Sequence, residues 1–246
     1  AYQPLIHLQT GEITGFEALA RWNDPDLGNV PPTEFIAVAE ESGLITSLGR
    51  WAAYEAAQAL SRWDAKYGQP LPVSVNVNVS AIQIARDDVE SMFEEALRYA
   101  GIDGRRMTAE LTESAIVADP DKARKWLVAL KDLDMSIAMD DFGTGYSSLS
   151  YLRSFPFDKI KIDQSFVQDL FSGSEALSII RAVTALGRNL GMTTTAEGVE
   201  TAAQLEQIQK EGCSEVQGYY VGRPMCAVSA TRFPTEALPR DGVEAA

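Results

Sequence analysis

Two spacings of apolar residues alternate along this chain. Short runs rich in β-branched residues, at 5–8, 13–22, 73–78, 107–111, 136–139, 159–162, 193–197 and 216–220, have the length and content of strands. Longer stretches at 35–42, 48–67, 88–100, 120–133, 174–190 and 202–209 repeat their apolar residues every three or four positions, as amphipathic helices do. Gly68, Gly101, Gly191 and Gly212 stand just past four of these stretches, where helices stop. Strands alternating with helices predict an α/β fold with a mostly parallel sheet, and eight strands are the number that closes a (β/α)8 barrel. Thr10-Gly11-Glu12 lies between the first two strands, and this reads as a hairpin. The expected architecture is therefore a modified TIM-like barrel whose first strand runs antiparallel to its neighbours.

No low-complexity linker divides the chain, so one domain over 1–246 is expected, with its core ending near residue 229. The stretch 230–246 has two prolines and few large apolar residues, and is expected to trail off as a tail. The opening Ala1-Tyr2-Gln3-Pro4 lacks an initiator Met and runs straight into an apolar stretch, which reads as a domain cut from a longer protein.

Charge narrows the choice of partner. With 35 acids against 21 bases the net charge is −14, which repels the backbones of DNA, RNA and anionic membranes. A phosphate-bearing ligand would need a local device, and bound divalent cations are the obvious one. No apolar run reaches the roughly 18 residues that cross a bilayer, and no signal-peptide pattern opens the chain. Cys213 and Cys226 lack metal-ligand spacing and read as free thiols of a cytoplasmic protein.

The candidate chemistry lies where the strands end. Glu17, Asn78, Glu110, Asp140, Asp141, Lys161, Glu197 and Gln217 each fall at or near the C-terminal end of a predicted strand, although Glu17 sits somewhat earlier. In a (β/α)8 barrel those ends converge on one mouth, where catalytic groups are found. One such acid is often only a helix cap; this many in phase are harder to dismiss. Carboxylates crowded there repel one another unless hard cations such as Mg²⁺ or Mn²⁺, which prefer oxygen ligands, sit between them. Two such ions about 3.5–4 Å apart form the usual device for cleaving phosphodiesters, and adjacent Asp140 and Asp141 suit a bridging role if the backbone turns both toward the mouth. Zinc is disfavoured because the single histidine, His7, lies in the first strand and reads as structural. Asp141-Phe-Gly-Thr-Gly-Tyr-Ser-Ser-Leu149 has the glycines of a loop able to close or rearrange, and could also be a plain turn capped by Ser147 and Ser148. Lys159-Ile-Lys161 puts two lysines on one strand face, with Lys161 placed to hold a water.

Assembled, these segments resemble the EAL-domain family of cyclic-di-GMP phosphodiesterases. The resemblance rests on Gly15-Phe-Glu-Ala-Leu-Ala-Arg-Trp22, Val77-Asn-Val-Ser80, Glu110-Leu-Thr-Glu-Ser114, Asp140-Asp-Phe-Gly-Thr-Gly-Tyr-Ser-Ser-Leu149, Lys161-Ile-Asp163, Ala196-Glu-Gly-Val-Glu-Thr201 and Gln217-Gly-Tyr-Tyr-Val-Gly-Arg-Pro224. It spans residues 2–224. It implies hydrolysis of cyclic-di-GMP to linear 5′-pGpG with two Mg²⁺ or Mn²⁺ ions held by Glu17, Asn78, Glu110, Asp140, Asp141, Glu197 and Gln217. Glu17, Lys161 and Glu197 would be catalytic, with Lys161 holding the attacking water. Gln3, Arg21, Asp141, Asp163 and Glu200 would contact substrate. Glu113, Phe142, Gly143, Thr144 and Gly145 would couple the loop to a homodimer interface. The resemblance further implies a sensory or GGDEF-type domain flanking this one, through which the protein could be tethered to a membrane that this segment does not itself enter. A catalytically silent cyclic-di-GMP receptor is the alternative from another class. A proton-abstracting barrel enzyme of the enolase kind, which also uses strand-end acids and lysines, would lack these motifs.

Overall fold

The computed structural model describes residues 1–86, 89–143 and 149–232. Strands β1 (Tyr2–His7) and β2 (Ile13–Ala18) form the expected hairpin. His7 Nδ1 accepts a hydrogen bond from the Thr10 amide at 3.4 Å within its turn, far along β1 from the residues discussed below. A small hairpin of β3 (Trp22–Asp24) and β4 (Gly28–Val30) comes next, then α1 (Pro32–Ser42) and α2 (Ile45–Tyr67). The chain continues through β5 (Ser74–Asn78), α3 (Ala81–Arg86), α4 (Val89–Ala100), β6 (Met107–Thr112), α5 (Glu113–Ala118) and α6 (Pro120–Asp132). It ends with β7 (Ser136–Phe142), α7 (Leu149–Ser154), β8 (Lys159–Ile162), α8 (Gln164–Gln168), α9 (Ser174–Leu190), β9 (Thr193–Ala196), α10 (Ala202–Lys210), β10 (Glu215–Val216) and α11 (Ala227–Ala230).

Among the described residues, eight strands close a barrel in the order β1-β10-β9-β8-β7-β6-β5-β2. β1 is antiparallel to both neighbours, and the other adjacent pairs are parallel. The modified TIM-like barrel with a reversed first strand is thus what forms.

Strand alternation sorts the side chains. Phe16, Val75, Val77, Ala109, Leu111, Ile137, Met139, Ile160 and Ile162 are buried and belong to the apolar layer between strands and helices. Their neighbours in sequence point into the barrel, and most of those are polar. Laterally paired positions share that face: Gln3 with Glu17, Glu17 with Asn76, Asn78 with Glu110, Thr112 with Asp140, and Lys161 with Thr195. The Lys159–Glu215 ion pair, 2.6 Å long and joined by the Thr195 hydroxyl, lies toward the far end of this lumen.

Several boundaries differ from expectation, three of them for a visible reason. β2 ends at Ala18 rather than Trp22, because Asp24 Oδ1 accepts the amides of Asp26 and Leu27 and folds Trp22–Val30 into its own hairpin. The last strand is Glu215–Val216 rather than 216–220. Gly218 lies against the Val199 backbone, where a Cβ would stand 2.1 Å from the Val199 oxygen, and the chain turns there. The tail does not begin at residue 230. Ala230 and Thr231 are buried, with Thr231 Oγ1 accepting from Lys66 Nζ at 2.5 Å and its carbonyl from the Tyr67 hydroxyl. Residues 233–246 lie outside the described residues.

Trp63 of α2 fastens the strand that carries Glu17. Its ring is fully buried between Tyr2 and Phe16, and its Nε1 donates to the Ala227 carbonyl at 3.0 Å. Truncating such a side chain leaves a cavity and an unpaired carbonyl. Trp63→Ala is therefore expected to lower unfolding free energy by about 3–5 kcal/mol. Urea unfolding followed by circular dichroism measures it, and a loss below about 1 kcal/mol would show that this contact does not anchor β1 and β2.

Candidate functional site

Lys161 stands at the centre of the polar lumen. Its Nζ is buried and lies 2.6 Å from Glu197 Oε1, 2.9 Å from Glu110 Oε2, 3.2 Å from Asp140 Oδ1 and 3.9 Å from Glu17 Oε2. Four carboxylates from four strand ends thus face one ammonium. Carboxamides complete the ring: Asn78 Nδ2 donates to Glu17 Oε1 at 2.7 Å, and Gln217 Nε2 to Glu17 Oε2 at 2.6 Å. Gln217 Nε2 also reaches Gln3 Oε1 at 3.2 Å, and Gln3 Nε2 donates to the Gly222 carbonyl at 3.2 Å.

The imbalance of charge shows in the proton affinities. Burial opposes the charge on Lys161, but Glu110, Glu17, Glu197 and Asp140 outweigh it and raise the lysine well above its ordinary value. Burial also lifts Glu110 well above the carboxylate range despite Lys161, and Glu17 and Asp140 push it further. Glu197 is pushed up to about 8 by burial against the pull of Lys161, with Asp140 and Glu17 adding to the rise. Glu17 goes the other way: burial would raise it, yet Lys161 and the amide hydrogens of Gln217 and Asn78 hold it below the usual range. Burial, then Asp140 and Asp163, raise Asp141.

Consecutive strand residues normally face opposite ways, so Asp140 and Asp141 need a device to share the mouth. From Met139 to Phe142 β7 advances three residues while its partner advances two, from Ile160 to Ile162, which is a β-bulge. Asp141 has a left-handed backbone, φ 53°, and its amide donates to Asp140 Oδ1 at 3.1 Å. As a result one carboxylate oxygen each of Asp140, Asp141 and Glu197 lie within 4.8 Å of one another. Gln217 Oε1 is buried without a hydrogen-bond partner. These donors are all oxygen, their charge is only partly compensated by Lys161, and the Gln217 oxygen is unpaired. That set fits a hard divalent cation.

The ring opens into a polar cleft of ≈ 410 Å³. Gln3, Glu17, Arg21, Asp140, Lys161, Glu197, Glu200 and Gln217 all line it. Asp163 does not: its Oδ1 caps α8 through the Ser165 amide at 3.1 Å and the Ser165 hydroxyl. Glu113 is buried in the first turn of α5, directly after Thr112, the strand partner of Asp140. Phe142 is buried at the end of β7. Gly143 takes φ 102°, and a Cβ there would meet the Phe166 ring at 2.8 Å. Thr144 and Gly145, like Ser147 and Ser148, lie outside the described residues. Sequence reasoning passed over Tyr219, which lines the cleft two residues beyond Gln217, and Asn76, two residues before Asn78 on the same strand face. The i, i+2 relation of the two asparagines was the available signal.

A family model described as EAL domain matches residues 1–224. The chain belongs to the EAL domain family. It is 49% identical over 229 residues to the uncharacterized protein y4lL of Sinorhizobium fredii, covering 93% of this chain and 27% of that protein. It is 41% identical over 227 residues to the cyclic di-GMP phosphodiesterase PA2567 of Pseudomonas aeruginosa, covering 91% of this chain and 38% of that protein. The solved structure of the PaMucR phosphodiesterase in complex with c-di-GMP superposes with a TM-score of 0.88 at 37% identity, covering 93% of this chain and 92% of that one. This EAL domain therefore spans only about a quarter to two fifths of the length of these curated relatives. Among its described residues, no helix is long and apolar enough to cross a membrane.

The raised carboxyls make a pH test. A carboxyl that binds its proton more tightly folded than unfolded stabilises the fold below its unfolded value of 4.5, and for Glu197 that contribution is lost as pH climbs to about 8. Glu110 acts in the same direction, and the lowered Glu17 acts only on the acid side of 4.5. The melting temperature of the metal-free EAL domain is expected to fall between about pH 5 and about pH 8.5, and saturating Mn²⁺ should suppress the fall. Glu197→Gln should flatten the slope. Scanning calorimetry of both proteins decides it, and an identical slope in the variant would remove Glu197 from the account.

Proposed function

We propose that this EAL domain hydrolyses cyclic-di-GMP to linear 5′-pGpG, lowering the level of that second messenger. The observation that carries this is the buried Lys161 ammonium ringed by four strand-end carboxylates, opening to a polar cleft in a chain of this family. Glu17, Asn78, Glu110, Asp140, Asp141, Glu197 and Gln217 would hold two Mg²⁺ or Mn²⁺ ions. When bound, such ions neutralise the scissile phosphate and lower the pKa of water.

The chain's own groups then have distinct tasks. Gln3, Arg21 and Glu200 line the cleft and suit the polar edges and phosphates of a dinucleotide, and Asp141 and Asp163 would add further contacts to it. Lys161 donates to the attacking water and aligns its oxygen opposite the 3′ oxygen that departs. Glu197, 2.6 Å from the lysine, takes the water's proton as the new P–O bond forms and the P–O3′ bond breaks. Solvent at the open cleft protonates the leaving oxygen. Glu113, Phe142, Gly143, Thr144 and Gly145 would transmit homodimer contacts to Asp140 and Asp141.

Residues 1–246 would act as a single domain of a longer, cytoplasmic protein, with a sensory or GGDEF-type module supplying its regulation. The free thiols of Cys213 and Cys226 suit a reducing compartment.

Incubation with cyclic-di-GMP and Mg²⁺ or Mn²⁺, followed by chromatography, is expected to yield pGpG. Glu17→Ala should reduce turnover by at least about 10³-fold with an unchanged circular dichroism spectrum. Wild-type-like turnover in that variant would end the assignment, and tight binding without any product in the unmutated domain would mark it as a receptor. Repeating the assay across protein concentration reads the dependence on dimerisation.

A further inference from the structure

Asn76 is a polar side chain where the strand could carry an apolar one. It sits in the middle of β5, is wholly buried, and points into the lumen beside Glu17 on one side and Thr108 on the other. Its Nδ2 donates to Glu110 Oε1 at 2.7 Å. The other oxygen of that carboxylate, Oε2, faces Lys161 at 2.9 Å. Both Glu110 oxygens are therefore held, one by a fixed neutral donor and one by the shared lysine.

The cost of this arrangement is visible on the same side chain. With Nδ2 donating to Glu110, Oδ1 of the same amide faces away from it. That oxygen is buried and has no hydrogen-bond partner. An unpaired buried oxygen is destabilising, and an apolar residue of equal size would avoid it. The asparagine is explained by what its other end does.

Lys161 alone cannot orient Glu110, because the same ammonium is shared with Glu17, Asp140 and Glu197 and would be drawn toward whichever of them stays ionised. A neutral donor one layer deeper fixes the carboxylate without adding charge to a site already rich in it. We propose that Asn76 is a positioning residue for this reaction. It holds Glu110 from beneath so that the carboxylate keeps one orientation when Lys161 gives up its contact to an incoming divalent cation. Groups placed in this way behind a metal ligand typically change metal affinity by about 10–100-fold.

This rests on the metal-dependent reading of the site, and the experiment separates the two. Mn²⁺ binding to the intact chain is measured by isothermal titration calorimetry, alongside the dependence of cyclic-di-GMP turnover on Mn²⁺ concentration. Asn76→Leu keeps the volume and removes the donor; Asn76→Ala removes both; Asn76→Ser keeps a small donor. The leucine and alanine variants are expected to bind Mn²⁺ about 10–100-fold more weakly, and their turnover should recover at saturating Mn²⁺. The serine variant should fall between them and the unmutated chain. A merely structural role would instead lower the melting temperature and leave the Mn²⁺ titration unmoved. Should the leucine variant fail to fold, the alanine variant carries the test. Unmutated affinity in a folded alanine or leucine variant overturns the role of Asn76, whereas an unmutated chain that binds no Mn²⁺ overturns the metal-dependent reading itself.

Discussion

Everything at this barrel's mouth depends on one buried ammonium facing more negative charge than it can neutralise. Burying a lone lysine is unfavourable, and pairing it with carboxylates reverses that. Lys161 is over-paired, with four carboxylates within 3.9 Å. The surplus is expressed as carboxyls that cling to protons, most plainly Glu197 at about 8, and as an unsatisfied oxygen on Gln217. Protons and hard cations are alternative ways to relieve the same strain. A site so under-neutralised suits a hard divalent cation.

The fold supplies this imbalance through strand alternation. Apolar residues face the helices, so every second residue faces the lumen and can be polar without exposing the core. The opposite end of the lumen is closed by a balanced pair, Lys159 with Glu215. The two lysines on β8 thus play different parts, one matched and one outnumbered. Asp140 and Asp141 break the alternation at a bulge and a left-handed residue, a local strain of the kind concentrated at functional sites. Trp63 and the bonds around Thr231 hold α2 and residues 227–231 against β1 and β2, so that Gln3 and Glu17 enter the ring in register.

The barrel was legible because two periodicities alternate cleanly, and because the short link between the first two strands left room only for a turn. The ring was legible because its oxygens fall at strand ends in phase. Their separate roles came from family resemblance, since spacing alone does not tell Glu110 from Glu197. What escaped were features set by side-chain hydrogen bonds or distant contacts. Asp24 ends β2 by capping a turn, Val199 halts the last strand at Gly218, and the Lys66 and Tyr67 contacts pull Thr231 into the core. Asn76 was hidden between Val75 and Val77, where it passes for an interruption in an apolar run and shows its purpose only beside Glu110. Asp163 also caps α8, a role that its place after Lys161-Ile did not announce.

The central claim is that Lys161 occupies ground that cations share when the site is loaded. The most direct measurement is a crystal structure grown with Mn²⁺ and read at an anomalous scattering wavelength. The account predicts an anomalous peak between Asp140, Asp141 and Glu197, with Lys161 Nζ moved away from at least one of its four carboxylates. A fully loaded crystal with peaks only elsewhere, and Lys161 still in contact with all four, would contradict it.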